Sequence, residues 1–70
     1  MEIVLNGHSR EVGLDPEGAT LEALIAVLEM NGDRIAVERN GEIVPRAEWA
    51  ATPVRSGDRL EIVHFVGGGL

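Results

Sequence analysis

The sequence predicts an α+β fold in which one helix packs on a mixed sheet of four to five strands. Three observations carry that reading. Two Asn-Gly dipeptides, Asn6-Gly7 and Asn40-Gly41, each stand between β-prone runs. One stretch has clear helical periodicity, and 70 residues with 44% hydrophobic side chains suffice for one compact core.

Ile3-Val4-Leu5 is β-prone and meets Asn6-Gly7, whose residues both tolerate the positive φ angles of a type I′ turn. Arg10, Val12 and Leu14 then recur at period two, so a return strand follows until Asp15-Pro16-Glu17-Gly18 breaks it. Thr20 suits a helix N-cap, because its hydroxyl accepts from an otherwise unpaired backbone N–H. Glu22 sits in the first turn, where the helix dipole favours negative charge. Leu21, Leu24, Ile25 and Leu28 form one apolar stripe that must be buried. Asn31-Gly32 is expected to end the helix, with Gly32 as a left-handed cap.

Ile35 to Arg39 reads as a strand, and Asn40-Gly41 turns it into the short strand Glu42-Ile43-Val44. Pro45 stops that strand and places it at an edge, since proline cannot donate to a ladder. Arg46 to Ala51 fits a single helical turn, Ser56-Gly57-Asp58 a turn, and Leu60 to Val66 the final strand. The order suits a β-grasp (ubiquitin-like) roll, in which the last strand pairs centrally beside the first. Residues 1–66 are read as that domain and residues 67–70 as a flexible glycine tail.

Composition removes several function classes. Twelve acids against six bases give a net charge of −6, which argues against nucleic-acid binding and suits solubility or a basic partner surface. No cysteine is present, so there is no thiolate nucleophile, disulfide or Cys-based zinc site. A reducing cytoplasm fits. Met1-Glu2-Ile3 lacks the basic start of a signal peptide, and the apolar runs are too short to span a bilayer. His8 and His64 have no metal-ligand spacing, and a metal site needs three or four converging ligands. His8 is expected to be solvated; His64 is expected to be partly buried or to touch a partner. No serine stands in a nucleophile elbow, and the acids are spread over every element. An enzyme is not expected, and no metal, catalytic residue or bound cofactor is assigned.

The tail is what the fold leaves unexplained. Gly67-Gly68-Gly69 directly after a hydrophobic strand adds no packing, and no helix follows to make it a phosphate loop. A chain end without Cβ atoms fits a narrow channel, and three residues reach about 10 Å at roughly 3.3–3.6 Å each. A free α-carboxylate, with a pKa of about 3.3–3.7, is ionised and a poor electrophile at neutral pH. Transfer to AMP supplies a leaving group, and attack by a sulfur donor then leaves a thiocarboxylate. In a chain without cysteine, sulfur carried by that route sits on the terminal carbon.

Several segments together resemble the ThiS family of sulfur carriers. They are Leu5-Asn6-Gly7, Thr20 with Leu21 and Leu24, and the run Ile35-Ala36-Val37-Glu38-Arg39-Asn40-Gly41. Ile43-Val44-Pro45-Arg46 with Glu48-Trp49 follows, then Gly57-Asp58, and Glu61-Ile62-Val63 leading into Val66 and the glycines. The resemblance implies a ubiquitin-like fold and a cycle run by partners. An E1-like (ThiF-type) enzyme would use ATP to adenylate the terminal glycine. A cysteine desulfurase would supply sulfur, and a ThiG-type thiazole synthase would take it to build the thiazole of thiamine. The diglycine would be Gly68-Gly69, with Gly69 bearing the thiocarboxylate. Family members end on glycine whereas this sequence continues to Leu70: either Leu70 is removed, which is the favoured reading, or it is foreign to the native chain, or the chain is not charged as written.

Val63 and Phe65 should share one face of the final strand, opposite Ile62 and His64. That face is a docking patch beside the tail if open to solvent, and core if covered. Trp49 is read as packing. Three alternatives stay open: the small subunit of molybdopterin synthase, another ubiquitin-like sulfur carrier or tag, and a non-catalytic β-grasp interaction module with an incidental tail.

Overall fold

The computed structural model describes residues 1–65. Strands β1 (Glu2–Leu5) and β2 (His8–Glu11) come first, followed by helix α1 (Leu21–Val27). Strands β3 (Ile35–Arg39), β4 (Glu42–Val44) and β5 (Arg59–His64) complete the sheet. Its spatial order is β2-β1-β5-β3-β4. β1 and β5 run parallel, while the β1–β2, β3–β5 and β3–β4 pairs are antiparallel. The fold is therefore the expected β-grasp roll, with the last strand central and β4 at an edge.

Both hairpins turn as their sequences dictate. Asn6 and Gly7 have φ of 50° and 84°, and Asn40 and Gly41 have 50° and 88°. The return strand ends earlier than its alternation suggested, at Glu11. Val12 is nevertheless buried, and its N–H bonds Met1 O at 2.8 Å.

Helix α1 packs its stripe against the sheet. Leu21, Leu24 and Ile25 join Ile3, Ile35, Val37, Leu60 and Ile62 in one core, with Leu28 packed at its margin. Thr20 caps the helix through Ala23 N–H at 3.1 Å. Its far end differs from expectation. The left-handed residue is Glu29, with φ of 58°, not Gly32. Glu29 N–H bonds Ala26 O at 3.1 Å and Met30 N–H bonds Ile25 O at 3.2 Å, which is a Schellman closure. The chain has already left the helix when it reaches Asn31, whose side chain instead caps the short 3-10 turn Gly32–Arg34. Gly32 serves packing: a Cβ there would lie 3.1 Å from Trp49 Cζ3.

Trp49 is buried, on the 3-10 helix Arg46–Ala51, and its indole N–H donates to Val44 O at 2.9 Å. The segment after it returns to the start of α1. Leu21 N–H bonds Thr52 O, Val54 N–H bonds Ala19 O, and Val54 is core. No helix of the described residues is long and apolar enough to cross a membrane.

Candidate functional site

Strand β5 is the last strand before residues 66–70, and its two faces differ. Leu60 and Ile62 point into the core. Val63 and Phe65 lie outside it, 59% and 57% exposed. Period two in a strand opposes these faces. Phe65 continues the pairing past the end of β5, its N–H donating to Arg34 O at 2.7 Å. His64 is exposed rather than partly buried, and so is His8.

Register brings further residues to the outer face. Ala36 lies opposite Val63, and Glu38 stands between Glu61 on β5 and Ile43 on β4. Ile43 is the most open large apolar side chain of the described residues, at 73% exposure. Ala36, Ile43 and Val63 thus line a shallow groove bordered by Glu38 and Glu61. Ile43 was not singled out from the sequence, although a signal existed. Val44 pairs with the buried Val37 and faces inward, so alternation turns Ile43 outward.

The acids matter to that face. Glu38 and Glu61 are direct cross-strand partners, and like charges in that position repel. Neither has a cation partner among the ion pairs of the described residues, which are Met1–Glu11, Arg39–Asp58 and Arg46–Asp33. An incoming basic side chain would relieve the repulsion, while an apolar one would fill the groove.

Behind this face, Asp58 fixes the start of β5. It is the one buried charged residue of the described chain. Its carboxylate accepts from Arg55 N–H at 2.8 Å, Arg39 Nε at 3.0 Å and Asn40 Nδ2 at 3.2 Å. Burial pushes this carboxyl up, but those hydrogen bonds and the Arg39 charge outweigh it and hold it below the usual aspartate value. Arg39 is thereby engaged within the fold. Arg46 is likewise engaged, paired with Asp33 and stacked 5.8 Å from the Trp49 ring centre.

No group of three or more His, Cys, Asp or Glu among the described residues is placed to hold a metal. Gly67, Gly68, Gly69 and Leu70, with Val66, lie outside the described residues. The structure thus brings Val63, Phe65, Ala36 and Ile43 to one face at the root of the segment that the sequence singles out.

Comparison with known proteins agrees with this architecture. The family model described as ThiS family matches residues 3–69. The chain belongs to the ThiS family. It is 35% identical over 65 residues to the sulfur carrier protein ThiS of Bacillus subtilis, covering 93% of this chain and 96% of that protein. A crystal structure of the thiamine biosynthesis protein ThiS from Geobacter metallireducens superposes with a TM-score of 0.83 at 31% identity, covering 99% and 100% of the two chains. The chain is also 45% identical over 69 residues to a thiazole synthase of Paramagnetospirillum magneticum. That match covers 99% of this chain but spans only 20% of the synthase. A thiazole synthase of Magnetococcus marinus is 41% identical with the same partial span. ThiS-type sequence therefore occurs both as a small protein and as a fifth of a larger one.

Proposed function

We propose that this chain is a sulfur carrier of thiamine biosynthesis whose working group is the carboxyl of Gly69. The observation that carries the reading is the ThiS-family match, which runs through the glycines to Gly69. In this reading residues 1–66 form the docking domain and residues 67–70 the tail, and Leu70 is removed to free the Gly69 carboxylate. A ThiF-type activating enzyme joins that carboxylate to the α-phosphorus of ATP, and pyrophosphate leaves. A persulfide supplied by a cysteine desulfurase attacks the acyl carbon, and AMP leaves. A thiol then cleaves the acyl disulfide, which leaves the thiocarboxylate on Gly69. The carrier itself binds no cofactor and performs none of these steps as a catalyst.

A ThiG-type thiazole synthase is the acceptor in this scheme. Thiazole synthases that contain a similar segment support that choice. Val63 and Phe65, with Ile43 and Ala36, dock the partners through an apolar contact, and Glu38 with Glu61 attracts basic side chains at its border. Gly67 and Gly68 pass through a channel too narrow for a Cβ. The chain works in the cytoplasm and engages neither nucleic acid nor membrane.

The test is the intact mass of the chain recovered from cells that also express its activating and sulfur-donating enzymes. Loss of Leu70 together with one oxygen replaced by sulfur is the expected result. An unmodified chain ending at Leu70, with the enzymes shown to be active, rejects the reading.

A further inference from the structure

The three asparagines of this chain, Asn6, Asn31 and Asn40, are each followed by glycine. In such a pair no Cβ shields the glycine nitrogen, which can close a five-membered ring onto the asparagine side chain. The bond from that nitrogen to Cγ forms, the Cγ–Nδ2 bond breaks, and the displaced backbone proton leaves with Nδ2 as ammonia. Water then opens the succinimide at either carbonyl and leaves aspartate or isoaspartate. All three asparagines are exposed, so access to water does not separate them.

Hydrogen bonding does. Asn6 is held at both ends of its amide by Ile62, whose N–H donates to Oδ1 at 2.8 Å and whose carbonyl accepts from Nδ2 at 3.3 Å. Asn40 is held likewise: Arg59 N–H donates to its Oδ1 at 2.9 Å, and its Nδ2 donates to Asp58 Oδ1 at 3.2 Å. Both sit in tight turns with φ of 50° between paired strands, so neither peptide rotates alone. Ring closure at either would first take the amide away from backbone groups of β5 and leave them unpaired.

Asn31 lies outside the sheet, between the closure of α1 and the 3-10 turn, with φ of −86° and ψ of 108°. The bond its side chain makes is local: Oδ1 accepts from Asp33 N–H at 2.9 Å, two residues on. That bond folds the side chain back over the Gly32 peptide, whose nitrogen is the attacking atom. It also places a donor on the oxygen that gains charge as the ring closes.

We propose that Asn31-Gly32 is the site of spontaneous deamidation in the folded protein, and that the bonds from Asn6 and Asn40 to the β5 segment shield the other two. The two products differ in consequence. Aspartate at position 31 keeps an oxygen for Asp33 N–H and still caps the turn. Isoaspartate routes the chain through Cβ and adds one carbon to the main chain just before Gly32. Room there is short, since even a Cβ on Gly32 would lie 3.1 Å from Trp49 Cζ3.

The experiment ages the full chain in neutral buffer at physiological temperature, folded and unfolded in urea. Peptides are then mapped by mass with electron-transfer fragmentation, which tells isoaspartate from aspartate. An isoaspartate carboxyl methyltransferase with a labelled methyl donor counts isoaspartate independently. In the folded chain Asn31 should convert at least about tenfold faster than Asn6 or Asn40, because those two must first strand paired groups. In urea the three rates should converge. Asn31→Gln, whose longer side chain cannot close the five-membered ring, should abolish the signal of the folded chain. Conversion of Asn6 or Asn40 as fast as Asn31 in the folded chain overturns the assignment, and so does an Asn31 that reacts only in urea. Asn31→Asp should melt close to the parent, whereas the isoaspartate fraction should melt lower with altered Trp49 fluorescence. Identical melts for those two would overturn the structural consequence.

Discussion

The side chain of Asn6 pairs with the backbone of Ile62 as a strand residue would. Its Oδ1 accepts from Ile62 N–H at 2.8 Å, and its Nδ2 donates to Ile62 O at 3.3 Å. The parallel register of β1 with β5 ends at Leu5 and Leu60, and Asn6 N–H still reaches Leu60 O. One residue later the backbone turns away into the hairpin, and the amide completes the ladder in its place. A buried backbone group left unpaired is costly, so this amide protects the central strand just before it leaves the core.

Replacing Asn6 with glycine separates the two jobs of the residue. Glycine accepts the positive φ of the turn, so the hairpin persists, while both bonds to Ile62 are lost. The expected cost is about 1–3 kcal/mol, the penalty for stranding such groups. Urea denaturation checks it: a midpoint equal to the parent's would show that water replaces the amide without loss.

Asp58 gives the fold a defined acid sensitivity. Its folded-state pKa lies below that of an unperturbed aspartate, so the stability it contributes is fully present above the ordinary aspartate value. That stability is lost as pH falls through the folded pKa. Denaturant midpoints should therefore decline below about pH 4, where an unperturbed aspartate titrates. Asp58→Asn should be less stable than the parent at neutral pH and show a shallower decline in acid. Parallel pH profiles would contradict the assigned network.

Legibility followed the range of the interaction. The Asn-Gly hairpins, the Thr20 cap and the α1 stripe are written in neighbouring residues, and each formed as read. The partners of Asn6 and Asp58 are not so written, because Ile62 lies 56 residues beyond Asn6 and no spacing reports such a pairing. Gly32 misled for a related reason. Its sequence neighbourhood suits a helix cap, while its actual constraint is the Trp49 ring brought over it by the fold. The outer face was half legible: alternation in β5 gave Val63 and Phe65, but Ala36 and Ile43 join them only through the sheet order. The tail glycines stand out in the sequence as three consecutive residues without a Cβ after a β-prone run.

Glu29 occupies a left-handed position that glycine fills at less cost. Glu29→Gly should stabilise the fold by about 0.5–1 kcal/mol, the relief of the left-handed strain less the added freedom of the unfolded chain. Gly32→Ala should act in the opposite direction, because its methyl meets Trp49 Cζ3 at 3.1 Å. Thermal melts followed by Trp49 fluorescence read both, and the two variants should move the midpoint in opposite senses.

Docking and threading can be separated by where they fail. Val63→Ser and Phe65→Ser remove apolar surface that is already more than half exposed, so each should change stability by less than about 0.5 kcal/mol. In the proposed cycle they weaken the encounter with the activating enzyme, which raises the carrier concentration needed for half-maximal ATP–pyrophosphate exchange. Gly68→Val should also leave the melt unchanged. Its defect differs in kind. A docked domain whose tail cannot enter the channel should bind with near-parent affinity and lower the maximal exchange rate instead. If Gly68→Val exchanges normally in a chain ending at Gly69, the narrow-channel argument falls and glycine is not required for access. If Val63→Ser and Phe65→Ser leave the half-saturating concentration unchanged, recognition lies elsewhere on the domain. Deletion of residues 68–70 completes the set, because a carrier becomes inert without unfolding whereas an interaction module keeps its binding.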